Sequence, residues 1–100
     1  MTDKIAKKVI LLSISGYSAE NDALLSQLIN EKIRLFCAAG KDCAIWEESM
    51  DALFVGEGDE KDFEMMTTSH PNETFDEVMQ FAETFRIEGI DNKAVTVIQI

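Results

Sequence analysis

The sequence predicts a small α/β domain of order βαβαβαβ, with a four-stranded, mostly parallel sheet between layers of helices. Two observations carry this. Four short apolar or β-branched runs alternate with three segments whose apolar residues recur every three or four positions, and Gly, Pro, Asp or Asn stands near most of the junctions. The chain has 100 residues, 46% apolar and 28% charged, which sets one domain over residues 1–100. A chain of this length hides roughly two-thirds of its unfolded surface, so a core forms without help from metals or disulfides.

Lys8 to Ser15 is an almost unbroken apolar run, the pattern of a strand covered on both faces. Gly16 and Tyr17 end it. Ser18 is placed as an N-cap, with Glu20 and Asp22 in the first turn and Leu24, Leu25, Leu28, Ile29 and Ile33 on one helical face. Arg34 to Ala39 predicts a second strand closed by Gly40, and Asp42 caps a second helix with Ile45, Trp46, Ser49, Met50, Leu53 and Phe54 on one side. Gly56 stands where a C′ glycine belongs.

Glu57 to Asp62 is a charged loop, and Phe63 to Ser69 a third strand bounded by His70 and Pro71. Asn72 is the expected cap of a third helix, whose Phe75, Val78, Met79, Ala82 and Phe85 oppose Asp76, Glu77, Gln80 and Glu83. Gly89, Asp91 and Asn92 supply a turn before Ala94 to Ile100, a β-branched strand placed near the sheet edge with Ile98 and Ile100 packed against cover.

Because the first strand is the most apolar and the last the most polar, the preferred strand order is 2-1-3-4, a flavodoxin-like winding, over 3-2-1-4. That order leaves the first helix alone on one face. A helix about 10 Å across covers only about two strands spaced about 4.8 Å apart, so that face is expected to be incompletely covered over the third and fourth strands. Apolar surface of this kind marks an interface, most often between two copies of one chain.

The 19 acidic residues against 9 basic ones give a net charge of −10 and a pI near 4.3, which opposes nucleic-acid binding. Lys4, Lys7 and Lys8 before Val9 to Leu12 imitate a secretory leader, but the apolar run is too short, and nothing approaches the roughly 18 apolar residues of a membrane span. A cytoplasmic protein with reduced cysteines, no membrane partner and a homodimeric or other protein partner is therefore expected.

In the preferred order the sheet reverses its winding between the loops after the first and third strands, where open α/β sheets hold ligands. Tyr17, Ser18, Ser69 and His70 are the candidate ligand-binding residues there, beside two helix starts. Ser and Asn are equally ordinary caps, and His70 beside Pro71 suits a turn. Cys43, in the first turn of the second helix, is a candidate reactive thiol, while Cys37 within a strand reads as a small core residue.

No glycine-rich dinucleotide or P-loop pattern follows the first strand. Ser15, Gly16 and Tyr17 replace the acidic pair of a phosphoacceptor receiver, and the acidic loop lacks the spacing of a calcium site. No cofactor, metal or catalytic residue is assigned. The stretches Phe36-Cys37-Ala38-Ala39-Gly40-Lys41-Asp42-Cys43-Ala44-Ile45-Trp46-Glu47-Glu48 and Thr67-Thr68-Ser69-His70-Pro71-Asn72-Glu73 resemble a small bacterial family, about one domain long, whose function is unknown. The resemblance implies an α/β domain and no activity. The expectation is a non-enzymatic protein-interaction module acting through the incompletely covered sheet face. The alternative is a ligand or enzymatic site at the switch point.

Overall fold

In the computed structural model, which describes residues 6–56, 64–87 and 94–100, four parallel strands and three α-helices alternate along the chain. The strands are β1 (Lys8–Ser13), β2 (Leu35–Gly40), β3 (Met66–His70) and β4 (Thr96–Gln99), and the helices are α1 (Asp22–Asn30), α2 (Cys43–Gly56) and α3 (Phe75–Thr84). A 3₁₀ turn over Ala19–Asn21 precedes α1, headed by Ser18 in extended conformation. The expected loop at Glu57 to Asp62 and turn at Gly89, Asp91 and Asn92 lie outside the described residues.

The α/β class holds, but the strands run β3-β2-β1-β4 rather than 2-1-3-4. The reason is burial. Leu35 to Ala39 is buried throughout, as β1 nearly is, whereas β3 is mostly half-buried and β4 alternates between half-buried and exposed. A parallel sheet puts its most apolar strands inside, and there are two of them here. As expected, β4 lies at an edge.

Strand order also decides which helices share a face. The connections through α1 and α2 move the same way along the sheet, and right-handed crossovers put both on one side. Val9, Leu11, Phe36 and Ala38 pack there with Leu25, Leu28, Ile29, Trp46 and Met50. The third connection reverses past β2 and β1, so α3 stands alone opposite, where Val78 and Ala82 meet Ile10, Leu35, Cys37 and Ala39. The expectation of the first helix alone is thereby corrected: the thinly covered face belongs to α3.

In-register neighbours share a face, so Lys8, Leu35 and Met66 form one row beneath α3, and Ile10, Cys37, Thr68 and Val97 the next. Lys8 is fully buried, and its ammonium donates to the Ala82 carbonyl in the last turn of α3 at 2.6 Å, where the helix dipole is negative. Met66 and Val97, on the flanking strands of this face, remain 51% and 39% exposed.

Three caps differ from expectation, the first being Ser18, which makes no side-chain cap bond and leaves Asn21 to head α1. Thr74, not Asn72, caps α3: its hydroxyl accepts from the Glu77 amide while the Glu77 carboxylate accepts from the Thr74 amide, a reciprocal box that Thr-x-x-Glu spells out. Asn72 sits instead in a left-handed turn at φ 63°. Gly56 is the last residue of α2 and does not take the positive φ of a C′ glycine.

Candidate functional site

The turn after β1 gathers polar groups because Gly16, at φ +95°, lets the chain pass close to the start of α2. A Cβ on Gly16 would lie 2.7 Å from a carboxylate oxygen of Asp42. That oxygen accepts the Tyr17 amide at 3.0 Å. Ser13 Oγ accepts from the Gly16 amide at 3.1 Å and from the Trp46 indole at 3.0 Å. The Tyr17 ring meets Trp46 edge-on at 5.2 Å, and its hydroxyl donates to Asp22. That hydrogen bond holds the Tyr17 phenol above its ordinary pKa. These groups are spent on one another, and Ser18 beside them is exposed and makes no side-chain cap.

At the end of β3 the two candidate residues part. Ser69 shares the face of Ala38, and His70 that of Ala39 beneath α3. His70 is 6% exposed, its ring 4.9 Å from Phe81, with Nε2 2.8 Å from Thr68 Oγ1 and Nδ1 3.1 Å from a Glu73 carboxylate oxygen. The Thr68 hydroxyl also donates to the Phe36 carbonyl at 3.5 Å, and the imidazole tautomer sets which ring nitrogen donates to its neighbour. A hydroxyl, imidazole and carboxylate in series is the arrangement that activates nucleophiles. Here the string lies under Phe81 and joins the β3 edge to the turn before α3.

Cys37, beside Thr68 in register, has its thiol pushed up to about 11 by burial, with the Thr68 hydrogen bond acting the other way. Cys43 opens α2 as expected, but its side chain is 6% exposed and packs in the core with Trp46.

Because β2 intervenes between β1 and β3, the loop bearing Tyr17 and Ser18 and the strand end bearing Ser69 and His70 stand two strand spacings apart, about 10 Å. The winding reverses instead between β1 and β4. There the Ile100 carbonyl takes the Ile14 amide at 2.6 Å and the Ser15 amide at 3.1 Å.

A cavity of about 330 Å³ lies at the opposite, amino-terminal end of β2 and β3, walled by Met65, Met66, Phe85 and Ile87 and flanked by Arg34, Arg86 and Glu64. The signal that locates it is compositional. These are the chain's two arginines, one immediately before β2 and the other just after α3. Among the described residues no cluster of His, Cys, Asp and Glu suited to a metal ion occurs, and no helix is long and apolar enough to cross a membrane.

Residues 3–100 match the family model of a domain of unknown function, DUF7684, and the chain belongs to that family. No curated protein and no solved structure matches it.

Proposed function

We propose that this member of a family of unknown function is a non-enzymatic protein-interaction module that self-associates through the α3 side of its sheet. One observation carries the reading: α3 packs mainly on β1 and β2, reaching β3 through Phe81 and His70, and leaves apolar Met66 and Val97 half exposed on the strands to either side. A sheet face with apolar side chains on both flanks of a single helix gains by meeting a second such face. The non-enzymatic part draws support from the two polar clusters, whose groups are engaged with one another. A ligand site joining the loops after β1 and β3 has less support, since β2 separates them.

Sedimentation velocity over a wide concentration range tests the reading, with Val97→Asp and Met66→Asp as variants. A dimer is expected that each aspartate weakens. Because each copy carries a charge of −10, added salt should strengthen the dimer by screening the repulsion between copies. A wild-type chain that sediments as a monomer at every concentration and salt overturns the proposal.

A further inference from the structure

The cavity at the amino ends of β2 and β3 gathers every guanidinium group in the chain. Against 19 acidic residues the protein has two guanidinium groups, and both border this one hollow. Arg34 donates through Nε to the Glu64 carbonyl at 2.7 Å. That bond fixes the guanidinium plane and leaves its terminal nitrogens to present a fork. Arg86 is exposed and forms no ion pair with the described residues.

The walls between the arginines are mostly apolar, with the exposed Glu64 the one acidic residue of the lining. Met65 and Met66 are unbranched thioethers that adapt to irregular guests, Phe85 adds an aromatic surface, and Ile87 continues into the core. The hollow also lies near the last turn of α3, whose negative end would repel an anion. Lys8 answers that end by donating to the Ala82 carbonyl. Its side chain shares a row of the sheet with Leu35 and Met66, beside the cavity wall. A volume of about 330 Å³ suits a small molecule.

We infer that this cavity binds a small amphipathic carboxylate, its head held by the Arg34 and Arg86 guanidinium groups and its aliphatic or aromatic body among Met65, Met66 and Phe85. Planar forks pair with planar carboxylates through two parallel hydrogen bonds, which is why arginine rather than lysine marks the site. The inference shares Met66 with the self-association reading but needs neither Val97 nor a second copy.

The test is an amide NMR titration of the full chain with octanoate, read at residues 64–66 and 85–87. Saturable shifts there are expected. Acetate, which lacks the apolar body, and octanol, which lacks the charge, should each bind about tenfold or more weakly. Arg86→Gln and Arg34→Lys should each weaken octanoate by about tenfold, the second because it keeps the charge and loses the fork. Arg86 is exposed, so its variant keeps the test valid should an Arg34 variant not fold. Three results overturn the inference: no saturable shift at these amides, equal binding by the Arg86→Gln protein, or octyl phosphate binding more tightly than octanoate. A monomeric protein with normal octanoate binding would instead refute self-association and leave the cavity assignment standing.

Discussion

Replacing Gly40 with alanine should destabilise the domain far more than a methyl group suggests. Gly40 ends β2 at φ +88°, a backbone conformation that costs an L-residue roughly 1–2 kcal/mol. Its new Cβ would stand 2.3 Å from the Ser13 carbonyl oxygen and 3.1 Å from the Ser13 carbonyl carbon, main-chain atoms of the neighbouring strand. They cannot swing aside. That carbonyl accepts the Lys41 amide at 2.8 Å, and Ser13 Oγ holds both the Gly16 amide and the Trp46 indole, so moving Ser13 disturbs the whole turn. Overpacking of this kind costs about 1–3 kcal/mol, for a total of about 2–5 kcal/mol. The total stability of such a domain is about 5–15 kcal/mol.

Urea melts followed by far-ultraviolet circular dichroism measure the loss directly. The internal comparison is Gly56→Ala at the end of α2, where nothing lies within 4 Å of the added Cβ and φ is not positive. It should be neutral or stabilising by up to about 1 kcal/mol. If Gly40→Ala melts within about 0.5 kcal/mol of the wild-type chain, the size of an ordinary surface change, the close approach of β1 and β2 does not constrain position 40.

Deleting Thr96 to Ile100 removes β4 from the edge of β1, together with half-buried Ile98 and Ile100, and should cost several kcal/mol, on the order of two buried aliphatic side chains; an unchanged urea midpoint would show β4 to be peripheral. Cys37, raised from 9.0 to about 11 in the folded chain, stays protonated where the unfolded thiol ionises. Its contribution is therefore complete below pH 9 and lost as pH rises through about 11, a fall of about 2–3 kcal/mol. Tyr17, also raised, adds a loss of the same sign, so the readout is how much shallower the alkaline slope of Cys37→Ala is than the wild-type slope. Thr74→Ala breaks the reciprocal cap of α3 and should cost about 1 kcal/mol in the same melts, with no loss expected from Asn72→Ala of comparable size.

What the sequence made legible was the alternation of elements, because each strand and helix carries its own period. β1 stood out by its apolar run and α3 by the spacing of Phe75, Val78, Met79 and Ala82. Strand order was harder, since it depends on comparing strands rather than reading each one. Leu35 to Ala39 is as unrelieved as β1, and Thr67, Thr68 and Ser69 are polar; weighing those two runs against each other places β2 inside and β3 outside. The candidate site inherited the error. Tyr17 and His70 were paired across a sheet in which β2 separates them, while Arg34 and Arg86, far apart in sequence, were brought together by the α3 crossover that no local pattern encodes.

The pairing of β1 with β4 has a kinetic consequence. Ala6 donates to Thr96 across 90 positions, whereas the β1 to β2 connection is about a third as long. Closing the longer loop costs roughly 1 kcal/mol more in chain entropy, so assembly favours β1 beside β2 first and β4 afterwards. Until β4 arrives, Val9 to Leu12 present an unpaired and strongly apolar strand edge. That edge accepts the β4 segment of any chain able to reach it, its own or a neighbour's, so refolding at high concentration should yield exchanged dimers in which two copies trade their last strands.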